Sequence, residues 1–119
     1  MIQFGTKIKI LDNSGVKSVK CIKVLKSQRY STIGDKIIIS TKKVKPQSKI
    51  KKGEVLSAIV YRVKKKRIKS NGIMIKHRSN GALLLNKKNV SASNRIRGSA
   101  SKELKYIFQK NLPLNLKLY

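Results

Sequence analysis

KIKILDNSGVKSVKCIKVL, residues 7–25, carries two runs in which apolar and cationic residues alternate, on either side of Asp12-Asn13-Ser14-Gly15. Alternation with a period of two puts successive side chains on opposite faces of a strand, so Lys7–Leu11 and Val19–Leu25 read as strands. Asp, Asn, Ser and Gly between them are the residues that build tight turns, through side-chain to backbone hydrogen bonds and a glycine that tolerates positive φ. A catalytic reading of the same four residues would have Asp12 activate Ser14. A serine nucleophile needs a base held by a third group, and the lone imidazole of the chain, His77, stands beside Arg78 with nothing to pair it with Ser14. The corner reading is therefore the expectation.

Working outward, the same short apolar runs recur between turn residues. Residues 35–44 follow Gly34, residues 54–63 follow Gly53, and residues 81–86 make a further strand. Two of these, 36–41 and 55–61, are nearly continuous in apolar residues, as in strands covered on both faces or curving through a small closed barrel. A five- or six-stranded barrel fits. Asn71-Gly72 signals a hairpin, because both central residues of a type I′ turn need positive φ. That turn pairs Ile68 with Ile75 and Arg67 with Lys76. It predicts an apolar side of Ile68, Ser70, Ile73 and Ile75 and a basic side of Arg67, Lys69, Met74 and Lys76. Only residues 101–110 turn helical, with Leu104, Ile107 and Phe108 at spacings of three and four. Pro113 confines any terminal strand to an edge. With no internal repeat or Gly/Ser linker, residues 1–119 read as one mainly β domain: a small barrel, a projecting basic hairpin and a short helical region over about 99–119.

Thirty Lys and Arg face four Asp and Glu, a formal charge of +26. Self-repulsion on that scale opposes compaction unless a polyanion lies nearby, and nucleic acid is the expected partner. The hydrophobic fraction of 39%, arranged in short Ile- and Val-rich runs, separates the chain from a disordered basic tail. Cys21 has no partner for an internal disulfide, and one Cys with one His makes no zinc set. Cys21 reads as a buried core thiol, and no cofactor or metal is expected. No run of about 18 apolar residues could span a bilayer, and the N-terminal residues resemble neither a signal nor a transit segment. Asp12, Asp35, Glu54 and Glu103 are scattered, so an acid–base pair or a nuclease-type magnesium cluster is not expected. Phe4, Tyr30, Tyr61, Tyr106, Phe108 and Tyr119 form no platform on one strand pair, which counts against a free single-strand-binding module such as a translation factor or RNA chaperone.

Charge instead fills the loops. The candidate RNA-binding residues are Lys42, Lys43, Lys45, Lys49, Lys51 and Lys52; then Lys64, Lys65, Lys66, Arg67, Lys69, Lys76 and Arg78; and finally Lys87, Lys88, Arg95 and Arg97. Lys outnumbers Arg by 24 to 6, a balance suited to neutralising phosphates more than to reading base edges. Basic loops on several sides suggest a protein embedded in folded RNA.

MIQ at 1–3, DNSG at 12–15, CIKVL at 21–25, GD at 34–35, KKGEV at 51–55, NG at 71–72, LLN at 84–86, RIRG at 95–98 and EL at 103–104 are collinear. Their order resembles the universal L-fourteen family of large-subunit ribosomal proteins, over residues 1 to about 105. The resemblance implies a five-stranded β-barrel, a projecting ribbon, short C-terminal helices and a structural role. The implied partners are large-subunit rRNA, small-subunit rRNA across intersubunit bridges, and the nineteenth and third large-subunit proteins. By the same resemblance, the loop around Lys45, Pro46 and Gln47 lies toward the subunit interface. The stretch at Asn94 and Arg95 lies on an exposed side where a ribosome-silencing factor docks. The sequence departs from the family pattern in a shorter loop at 26–33, at His77, Arg78 and Ser79, and at Arg97-Gly98-Ser99. This drift, with abundant Lys, Ile and Asn, suggests an organelle-encoded copy, mitochondrial before plastid or bacterial.

Overall fold

The computed structural model describes residues 1–88, 91–92 and 95–104, and the backbone of 117–118. Strands β1 (Lys7–Ile10), β2 (Val16–Val24), β3 (Lys36–Val44), β4 (Val55–Arg62) and β7 (Gly81–Leu85) close into a barrel in that spatial order. Neighbours pair antiparallel, except where β1 meets β7 in parallel through Lys9↔Gly81 and Ile10↔Ala82. That closure joins the first strand to a segment some seventy residues later, and it leaves the barrel no open edge.

Alternation sends Ile8, Ile10, Val19, Cys21, Ile37, Ile39, Ala58, Val60, Ala82 and Leu84 into the interior, all nearly or fully buried. Burial of each large aliphatic side chain stabilises the fold by about 1.5–3 kcal/mol. A second cluster of Tyr61, Leu83, Ile96, Ala100 and Leu104 lies outside β4 and β7. These strands read as continuous apolar runs because both faces are covered, one by the barrel lumen and the other by the segment at 96–104. All five residues of β7 are buried.

The structure departs from the sequence reading at three places. Strand β2 begins at Val16, three residues before its apolar run, because Val16 and Ser18 pair with Val44 and Lys43. The helical expectation at 101–110 is met at Glu103 and Leu104, and its remainder lies outside the described residues. At the two ends of the region of about 99–119 read as helical, β8 (Ser99–Ala100) and β9 (Lys117–Leu118) are instead strands, paired in parallel, with β9 beyond Pro113.

The third departure is the ribbon of β5 (Arg67–Ile68) and β6 (Met74–Ile75). Its register is Arg67↔Ile75 and Ile68↔Met74, one residue away from the pairing that a two-residue turn dictates. The loop is Ser70-Asn71-Gly72, closed by Lys69 N–H donating to the Ile73 carbonyl (2.9 Å) and Gly72 N–H donating to the Lys69 carbonyl (3.0 Å). The Asn71 side chain accepts the Ile73 N–H at 3.2 Å, and Gly72 takes φ of 81°. This is the three-residue hairpin with a left-handed glycine at its end. A slip of one residue exchanges the faces of a strand. Arg67 and Lys69 therefore turn toward the body of the protein with Ile75, half-buried, whereas Ile68 (73% exposed) and Met74 (56%) point out. The predicted basic side of Arg67, Lys69, Met74 and Lys76 does not exist as one face.

Candidate nucleic-acid interface

The DNSG corner is structural. One carboxylate oxygen of Asp12 accepts the backbone N–H of Ser14 at 3.0 Å and also the Ser14 hydroxyl. The other accepts Leu84 N–H at 3.3 Å, which ties the corner to β7. Gly15 has φ of 88° and packs so closely on Ser48 that a Cβ there would lie 2.5 Å from the Ser48 Cβ. His77 is elsewhere, buried with Nδ1 3.4 Å from the Ser99 hydroxyl.

The remaining acids also serve the fold. Asp35 accepts the Thr32 N–H (2.7 Å) and hydroxyl (3.2 Å) and pairs with Lys26 at 3.3 Å. Glu54 accepts Lys51 N–H at 3.1 Å. Glu103 holds the Arg67 guanidinium at 2.9 Å. Lys26–Asp35 and Arg67–Glu103 form ion pairs, and among the described residues no group of three His, Cys, Asp or Glu residues could hold a metal. No helix among them is long and apolar enough to cross a membrane. The cationic charge is thus almost wholly unbalanced from within.

Most of the candidate cations are exposed: Lys42, Lys43, Lys45, Lys49, Lys51 and Lys52 on and after β3, Lys64, Lys65, Lys66, Lys76 and Arg78 around the ribbon, Lys87 and Lys88 after β7, and Arg95 and Arg97 beyond. Arg67 and Lys69 are half-buried, and Asn94 lies outside the described residues. Two groupings emerge that sequence distance conceals. Lys45 N–H donates to the Gly15 carbonyl (2.9 Å) and Arg97 N–H to the Leu11 carbonyl (2.8 Å), so both flank the DNSG corner. There Lys45 and Arg97 line one depression with Lys9 and Lys17. On another side Lys64, Lys65, Lys66 and Lys76 gather beside Tyr30 and Asn80.

The loop-based reading also passed over a cationic barrel wall. Lys7 and Lys9 on β1 and Lys17, Lys20 and Lys23 on β2 are all exposed, and Lys7 lies directly opposite Lys20. Their signal was present in KIKI and VKSVKCIK, where every exposed position other than Ile22 is Lys.

Burial and Arg62 push the His77 pKa below its ordinary value, and burial pushes the Cys21 thiol up, away from the reactive thiolate.

A closed five-stranded barrel with a cationic wall and loops, and with its acids spent on turns and a tether, places the chain in the class of small, strongly basic β-barrel proteins. The family model for ribosomal protein L14p/L23e matches residues 1–117. The chain belongs to that family, whose members are structural proteins of the large ribosomal subunit and not enzymes.

Proposed function

We propose that the protein binds large-subunit rRNA by phosphate neutralisation and contributes to bridges with small-subunit rRNA, acting as a rigid spacer between RNA elements. The observation that carries this reading is the use of all four acids within the fold, which leaves a formal charge of +26 to be met from outside. The cationic wall of Lys7, Lys9, Lys17, Lys20 and Lys23 joins the loop residues in that role. The face at the DNSG corner, where Lys45 and Arg97 line one depression, is the one we assign, with the chain neighbours Pro46, Gln47 and Arg95, to the subunit interface or to a silencing factor. In its support, segments fifty residues apart meet there. The outward apolar edge of the ribbon, Ile68 and Met74, suits a protein neighbour, such as the nineteenth or third large-subunit protein. The bias toward Lys, Ile and Asn supports a mitochondrial ribosome as its location.

Sedimentation of a magnesium-buffered lysate through sucrose, at low and at high salt, tests the reading. The chain is expected with the large subunit and the whole ribosome, and to stay there at moderate salt. Recovery in the light fractions would replace this role with that of a free nucleic-acid-binding module. Organelle fractionation before lysis tests the mitochondrial assignment separately.

A further inference from the structure

Tyr30 is 43% exposed and directly precedes an anchored residue. The next residue, Ser31, is fully buried and bridges Ile2 through two backbone hydrogen bonds, Ile2 N–H to the Ser31 carbonyl (3.0 Å) and Ser31 N–H to the Ile2 carbonyl (2.7 Å). The Ser31 hydroxyl adds a third bond to the Ile2 carbonyl at 3.2 Å. An aromatic ring left in solvent beside an anchored residue differs from one on a free loop tip, because ordering it against a ligand costs less further entropy.

Around this ring the fold collects Lys64, Lys65 and Lys66 from the β4–β5 connection, Lys76 from beyond β6, and Asn80 from the residue before β7. None of the four acids lines the depression. Asn80 commits its side-chain oxygen to Lys64 N–H at 2.8 Å, which fixes the orientation of its amide and leaves the NH2 group as the donor of that side chain. A ring, four lysines and a fixed amide donor are complementary to the three parts of a nucleotide: a π face, phosphates and a polar base edge. A paired base offers no free face, because its neighbours in the helix cover both sides.

We propose that the depression bounded by Tyr30, Lys64, Lys65, Lys66, Lys76 and Asn80 receives one unpaired RNA nucleotide, with its base stacked on the Tyr30 ring and its flanking phosphates on the lysines. The inference rests on the RNA-binding reading above and adds to it a place and a ligand: a bulged or single-stranded nucleotide, where the rest of the surface meets backbone. Tyr30 is thereby a stacking residue.

The test uses the full chain with two probes, a single-stranded oligoadenylate carrying one 2-aminopurine and an RNA duplex of matched charge. Wild type is expected to bind both, with quenched 2-aminopurine fluorescence on the single strand. Tyr30→Ala should weaken single-strand binding by roughly 5- to 150-fold, the range for loss of one stacked base, and abolish the quench. Duplex binding should stay within about twofold, and Tyr30→Phe should restore both single-strand signals, since stacking needs the ring and not the hydroxyl. Equal loss on both probes, or none on either, would overturn the stacking site while leaving the RNA-binding reading intact. Failure of the wild type to bind either probe would overturn both.

Discussion

Lys7 and Lys20 are direct cross-strand partners on the outer wall of the barrel. Like charges placed opposite each other across an antiparallel pair destabilise it, whereas opposite charges contribute roughly 0.2–1 kcal/mol. Lys20→Glu should therefore raise the stability of the free protein by up to about 1 kcal/mol, read from the urea midpoint. The same change should weaken RNA binding and flatten its salt dependence by about 0.7–0.9 if Lys20 meets a phosphate. Lower stability together with unchanged binding would show that the wall is only a solvated face.

The ribbon is tethered by Arg67 and Glu103, both side chains about 40% exposed. Such a pair contributes only about 0–1 kcal/mol. Glu103→Gln should change the urea midpoint little but release Arg67, and a steeper salt dependence of RNA binding would report the freed guanidinium. No change in slope would mean that Arg67 stays folded against the body for other reasons.

Gly81 marks a close approach. A Cβ there would lie 2.8–2.9 Å from the Tyr61 ring and hydroxyl, and Tyr61 is fully buried. Gly81→Ala should cost about 1–3 kcal/mol by overpacking. Tyr61→Phe should relieve part of that cost in the double variant, giving a non-additive cycle by urea denaturation. Additive costs would place the strain elsewhere.

His77 links stability to pH. Its folded pKa is depressed by burial and by Arg62, so the unfolded chain binds the proton more readily. Stability from this group is complete above the unfolded value of about 6.5 and is lost as pH falls through the lower folded value. His77→Gln should remove that part of the acid-side decline in the urea midpoint. An unaltered pH profile in the variant would refute the assignment.

The barrel was legible in residues 7–25 because alternation and turn chemistry are local: two residues per pleat, and Asp, Asn, Ser and Gly at the corner. The same locality revealed that the acids are scattered and that the DNSG corner is not catalytic. It misled at the hairpin, where Asn71-Gly72 suits both a two-residue and a three-residue loop, and one residue decides which face carries Arg67. Collinear motifs carried the family as well. What only the tertiary structure decided is non-local: the parallel β1–β7 closure, the cover of Ile96, Ala100 and Leu104 over β4 and β7, and the two groupings, Lys45 with Arg97 and Lys64–Lys66 with Tyr30. Each depends on which distant segments bury apolar surface together. Chain spacing holds no record of that choice, because the free energy that makes it comes from packing in three dimensions.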